Sequence, residues 1–407
     1  MRPYSLVLVL FVLRAITAQA QTTISLDAAI RQALEKNTEL QRRYSDIRKS
    51  QAELDQSLRP PNPVFGYSRE ELMLNTATAG EWIAVGSLPL NFLWDRWANI
   101  DSKQKYLEAQ RLLSDHSKSD VTYQVQDAYL KSHYFTVLAA QLDGALSTLD
   151  GIASDARQRM QEGDISEYEL QRILIEVNKL RAEVSEAELQ RSTQLNRLRL
   201  TIGYDPEREL RLAPLPAPQA HPPTGDALFQ FALQNRKDLK AIERLIESES
   251  AFLSHSRLKG IPEIHLAAGY KKRSDQFSGS VVQLNLEIPL FRRSQSDIEH
   301  TEAQLSILGG QKAFLLKQIA TEVQDASARY RQYEGLRGHQ DDLQLHTILS
   351  TSVYSYMLGE LSLVEFIDGL NAFTEGMKLH NDVEIKYRQS INELARISGD
   401  TWNNEIK

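Results

Sequence analysis

One pattern in this chain occurs twice, about 199 residues apart, and each copy reads as a helix, two short strands and a very long helical hairpin. Ser25-Leu-Asp-Ala-Ala-Ile-Arg-Gln-Ala33-Leu34 returns as Thr224-Gly-Asp-Ala-Leu-Phe-Gln-Phe-Ala232-Leu233, and 232 − 33 = 199. Pro63 and Pro262 open the two strand regions at the same offset, and Leu88-Pro89-Leu90 and Ile288-Pro289-Leu290 close them at an offset of 200. Gly163-Asp-Ile-Ser166 answers Gly359-Glu-Leu-Ser362 at 196. Four anchors in one order define a duplicated unit, so whatever the protein does must be something two such units can do together.

The N-terminus bears on compartment. Arg2, the apolar run Leu6 to Leu13 and the A-x-A signal Ala18-Gln19-Ala20 predict a secretory signal peptide over 1–20. Losing Arg2 and Arg14 would move the net charge from −7 to −9, which argues against nucleic acid as a partner. The absence of cysteine excludes a disulfide scaffold, thiolate metal sites and a lipidated cysteine. Beyond the signal, no stretch approaches the ~18–20 apolar residues of a transmembrane helix, so membrane insertion would have to use strands.

Strands are expected at about 63–72 and 82–90 in the first repeat (21–204) and at about 262–271 and 281–290 in the second (224–400). Val282-Gln-Leu-Asn-Leu-Glu-Ile288 alternates apolar and polar residues throughout, whereas the first pair carries aromatic and β-branched residues with poorer alternation. Pattern alone leaves half-buried hairpins of a soluble domain open. Trp82, Trp94 and Trp97 cluster around the first pair, where an aromatic belt would sit at a membrane interface and where simple core packing would also place them. Residues 205–223 hold six of the thirteen prolines and read as an exposed connector, and 401–407 as a tail.

The long helices decide between those readings. Residues 95–161 and 292–357 contain no proline, and at ~1.5 Å per residue each would make a rod of ~100 Å. Val121, Val125, Ala128, Ser132, Phe135, Ala139, Leu142, Leu146, Leu149, Ala153, Ala156 and Met160 step by four and three, a heptad seam with small residues where helices approach closely. Leu170 to Ala187 and Leu363 to Leu394 continue the rhythm, so antiparallel coiled-coil hairpins should turn near Gly163 and Gly359. Four strands in one chain would leave open sheet edges in a bilayer; three copies give a closed barrel of twelve. The expected fold is mainly α with a small β part, trimerising into a β-barrel above an α-helical tunnel.

The motif S-L-x-x-A-I-x-x-A-L near the mature N-terminus, its echo, the paired strand ends and the two G-x-(I/L)-S turns resemble the outer-membrane efflux protein (TolC) family of Gram-negative bacteria over essentially the whole mature chain. Arg59-Pro-Pro-Asn-Pro63 and the short loops resemble its cobalt-zinc-cadmium resistance branch. The resemblance implies a homotrimeric outer-membrane exit duct with a long periplasmic extension, meeting a periplasmic adaptor and an inner-membrane pump of the RND type, with heavy-metal cations as one cargo class. It also implies an adaptor-docking tip at Gly163, Asp164, Gly359 and Glu360, and a gate at Tyr356, Glu365 and Asp368 with Glu169 as the first-repeat counterpart. As a ring of three, such carboxylates would favour cations; as coiled-coil positions they would be ordinary solvated side chains. A periplasmic coiled-coil adaptor, a structural protein and a type I secretion outlet stay open as alternatives. No G-x-S-x-G, phosphate loop or Ser/His/Asp grouping points to an enzyme, and the nine histidines suggest neither a metal site nor a cofactor.

Overall fold

The computed structural model describes residues 23–74, 77–205, 210–215, 218, 225–288, 294–338 and 345–399. The signal peptide, most of the proline-rich connector, Pro289-Leu290 and the tail lie outside them. In chain order the elements are β1 (Thr23–Ile24), α1 (Leu26–Lys36), α2 (Thr38–Ser57), β2 (Val64–Leu74), β3 (Ala77–Pro89), a 3-10 turn (Asn91–Leu93), α3 (Arg96–Glu162), α4 (Glu167–Ile202), β4 (Arg211–Leu212), α5 (Gly225–Asn235), α6 (Lys237–Leu258), β5 (Glu263–Arg273), β6 (Ser278–Glu287), α7 (Gln295–Gly338), α8 (Leu345–Met357) and α9 (Leu363–Ser398).

Each repeat opens on two helices rather than one. At Asn37 the backbone turns extended (φ −64, ψ 126), and the side-chain oxygen accepts from the N–H groups of Glu39 and Leu40, capping α2 where α1 stops. Arg236 takes the same extended conformation between α5 and α6. Here the side chain points inward: Arg236 is 6% exposed, with its guanidinium on both oxygens of Asp238 (3.0 and 2.6 Å) and on Glu322 of α7 at 2.5 Å.

The heptad seam is the core. Every predicted seam residue of α3 from Val121 to Ala156 is buried except Phe135, which packs half-buried against the same cluster. Leu138 to Ala156 of α3, Leu170 to Ala187 of α4 and Leu363 to Met377 of α9 merge with Tyr356 of α8 into one cluster, so the two hairpins share a core toward their turns. Further from the turns the core divides. Ala29, Ala33 and Leu40 pack with Val121, Tyr129 and Leu198 in the first repeat, and Leu228, Ala232 and Leu239 pack with Ile319, Tyr330 and Leu394 in the second. The duplication thus appears as two equivalent helix-on-hairpin cores joined by a common one.

β2, β3, β5 and β6 form a four-stranded antiparallel sheet in that order, with the central β3–β5 pairing joining the repeats. The strands run 10 to 13 residues and pair further than the sequence pattern indicated. Ala77–Gly80, Lys272–Arg273 and Ser278–Ser280, in the gaps between the expected strands, are ladder residues, and the second hairpin turns through Gln276 at φ 68. Backbone pairing does not need alternating side chains, so the polar ends of these strands were hidden from pattern reading.

Candidate functional site

The register sorts the sheet's side chains onto two unlike faces. Phe65, Ala84, Leu88, Leu266, Ala268, Val282, Leu284 and Leu286 share one face, because directly paired residues project to the same side. That face is uncovered: Phe65 is 75% and Val282 74% exposed. At its outer end Trp82 stands in one cross-strand row with Arg69 and Lys272 and packs against Tyr67 and Tyr270 of the next same-face row, with ring centroids 6.2 and 5.8 Å apart. At the helical end Trp97 stands exposed in the first turn of α3, and Trp94 closes the 3-10 turn. The opposite face carries Ser68, Glu70, Glu81, Ser87, His265, Lys271, Gln283, Asn285 and Glu287 among Ile83 and Val85. One apolar face bounded by aromatic residues, with a polar reverse, is the pattern of a strand set between lipid and water. Among the described residues, the outer strands β2 and β6 have no neighbour on their free sides.

At the other end of the molecule the two turns have nearly the same construction. Gly163 ends α3 in the left-handed region (φ 85), with the Asp164 N–H donating to the Arg159 carbonyl at 2.8 Å. Ser166 then starts α4 through a reciprocal cap: its hydroxyl accepts from the Glu169 N–H, and the Glu169 carboxylate accepts from the Ser166 N–H at 2.8 Å. Gly359 (φ 75) follows α8, the Glu360 N–H donates to the Ser355 carbonyl at 2.8 Å, and Ser362 and Glu365 repeat the cap at the start of α9. Glu169 and Glu365 therefore occupy the third position of two capping boxes. The hydrogen bonds from the Ser362 N–H and hydroxyl hold the Glu365 carboxyl below its ordinary value.

Asp368 lies one turn further along α9, exposed. Tyr356 is buried, its ring stacked on Phe366 with centroids 4.8 Å apart. Burial pushes its phenol upward; Arg159 opposes this and Glu169 adds to it, so charged groups of the first hairpin's turn face the tyrosine of the second. The structure thus brings Tyr356, Glu169, Glu365 and the two turn glycines to one end. Both S-x-x-E caps are visible in the sequence, as Ser166-Glu-Tyr-Glu169 and Ser362-Leu-Val-Glu365.

A second grouping escaped the sequence reading. Glu263 and His265 stand two apart on β5, hence on the same face, and Glu287 of β6 is the register partner of Glu263. One ligand atom from each of the three lies within 4.8 Å of the others. The signal was E-x-H inside a strand, where a spacing of two is close.

No protein-family model matches the chain, and no curated protein does. Solved structures do. The outer membrane channel CmeC of Campylobacter jejuni superposes with a TM-score of 0.76 at 15% identity, over 92% of this chain and 85% of that one. The outer membrane protein VceC of Vibrio cholerae gives 0.73 at 14%, over 92% and 96%. CusC, described by its transmembrane channel formation, gives 0.72 at 16%, over 92% of both. With its two hairpins, four-stranded sheet and duplicated cores, this chain has the fold of the TolC-like outer-membrane channels.

Proposed function

We propose that the protein is the outer-membrane exit channel of a tripartite efflux system, a passive homotrimer that receives cargo from an inner-membrane pump through a periplasmic adaptor. The observation that carries this is the sheet: an uncovered apolar face bounded by aromatic rings, two edges unpaired among the described residues, and a ~100 Å helix, α3, running from its base. Three chains joined β6 to β2 make a twelve-stranded barrel, remove all edges, and put the apolar face toward lipid and the polar face toward water. The turns around Gly163, Asp164, Gly359 and Glu360 then form the periplasmic tip that meets the adaptor. Glu365, Asp368 and Glu169, in three copies, make that end acidic, with Tyr356 packed behind them. Such a mouth admits cations in preference to anions, and heavy-metal cations are the cargo class it suits.

Outer-membrane fractions should yield the protein as a heat-resistant trimer with mixed α and β circular dichroism. A monodisperse monomer, soluble without detergent, would overturn the channel reading. Challenging a deletion strain with cobalt, zinc, cadmium, nickel and copper beside hydrophobic drugs identifies the cargo, and sensitivity to the drugs alone would remove the metal assignment.

A further inference from the structure

We infer that Glu263, His265 and Glu287 form a binding site for a divalent transition-metal ion such as Zn2+ or Co2+, one in each chain, on the polar face of the β5–β6 hairpin. Three observations converge there. The first is the donor set: one imidazole and two carboxylates with their ligand atoms within 4.8 Å, so that small rotations about the side-chain bonds bring all three onto one ion. The second is electrostatic. Glu263 and Glu287 are direct cross-strand partners, and like charges in that relation repel. Among the described residues neither is paired with lysine or arginine; the basic group beside them is His265, whose Nε2 lies 3.7 Å from the Glu263 carboxylate.

The third observation is access. Glu263 and His265 line a cavity of about 720 Å³ between the base of the sheet and the helices. The basic residues Arg59, Arg96, Lys103 and His255 share its wall; Arg96 is engaged with the carbonyls of Ser57 and Leu58, Lys103 with Glu53 at 2.7 Å and the His255 ring with the Asp95 carbonyl at 3.1 Å, and among the described residues none of the four, Arg59 included, pairs with Glu263 or Glu287. The repulsion between the two glutamates is thus left for an incoming cation to neutralise. Nitrogen with carboxylate oxygen suits borderline ions such as Zn2+, Co2+ and Ni2+ better than Mg2+, which prefers oxygen alone. Three protein ligands leave a coordination position open to water or to a further ligand.

The site lies within one chain and needs no trimer. Only its position on the lumen, where three sites would ring the path between tunnel and barrel, rests on the channel reading. The test is titration of the purified full-length protein with Co2+ followed by visible absorption, and with Zn2+ followed by calorimetry. One ion per chain should bind, Mg2+ at equal concentration should not displace it, and His265→Ala should weaken binding at least tenfold with loss of the cobalt absorption. Glu287→Gln should also weaken it at least tenfold, and decides the matter should His265→Ala fail to fold. Asp143→Asn, on an exposed position of α3 away from both the hairpin turns and the sheet, should leave the titration unchanged. Identical curves for wild type and Glu287→Gln, or loss of binding in Asp143→Asn, would overturn the site. Metal binding by a protein that proves to be a soluble monomer would retain the site and discard the channel.

Discussion

At the scale of single residues, Glu365 shows how one side chain can carry two explanations. Its carboxylate closes the capping box at the start of α9, and that explains its position without any reference to a pore. Asp368 has no such duty and is the cleaner probe of a gate. Asp368→Asn should lower cation selectivity in planar-bilayer recordings while leaving trimer stability unchanged, and unchanged selectivity would remove the acidic gate. Ser362→Ala keeps every carboxylate but removes the hydroxyl half of the cap, costing about 1 kcal/mol and fraying the first turn of α9. Its signature is faster amide exchange at residues 363–366 with selectivity preserved. The turn glycines were legible for a physical reason: a left-handed backbone excludes most side chains, so G-x-(I/L)-S marks both turns. The partnership of Glu263 with Glu287 was not legible, because 24 residues separate them and only the strand register makes them neighbours.

At the scale of elements, periodicity revealed the first rod, α3, since a heptad seam is written into consecutive turns of one helix, while of the second expected rod, 292–357, the described residues form α7 and α8, and 292–293 and 339–344 lie outside them. It did not reveal the breaks at Asn37 and Arg236, where a local cap and a buried ion network override the helical continuation. The Arg236 network makes a pH prediction. Burial pulls Asp238 and Glu322 upward, but the hydrogen bonds and charge of Arg236 outweigh it and hold both carboxyls below their ordinary values. Depressed carboxyls stabilise the folded state fully above their unfolded pKa, near 4, and that contribution is lost as pH falls through the lower folded values. Arg236→Ala leaves two part-buried carboxylates without their partner and should destabilise the α5–α6–α7 junction by about 3 kcal/mol at neutral pH. The deficit relative to wild type should shrink as the pH drops below about 4, which urea unfolding followed by helical circular dichroism at pH 7 and pH 3 would measure. A deficit independent of pH would mean that the lost contribution is packing rather than charge.

At the scale of the whole molecule, the proposed channel makes the edges of the sheet, unpaired among the described residues, a matter of assembly. Were the sheet set in a bilayer, no water would satisfy the free N–H and C=O groups of β2 and β6, each of which would cost several kcal/mol, so these edges would have to meet edges of other chains. The central β3–β5 ladder is already closed within the chain, and Gly269 keeps it close: a Cβ there would run into the Ala84 carbonyl and lie 2.7 Å from the Val85 Cα. Because the protein contains no cysteine, pairs of introduced thiols report contacts without background. Cysteines placed at Gly66, Ser68 or Glu70 of β2 together with Gln283→Cys of β6 scan the polar face across the two edges. Mild oxidation should give a covalent trimer for at least one of these combinations, since closing three equivalent β6–β2 seams links every chain to two others. Two thiols across the β3–β5 ladder, at Ser87 and Ala267, should cross-link only within a chain and run as monomer on a denaturing gel. A scan that yields no oligomer, or only a ladder of open multimers, would mean that the edges do not meet in a closed ring of three, and the barrel would fall while the helical hairpins, which stand on their own cores, would remain.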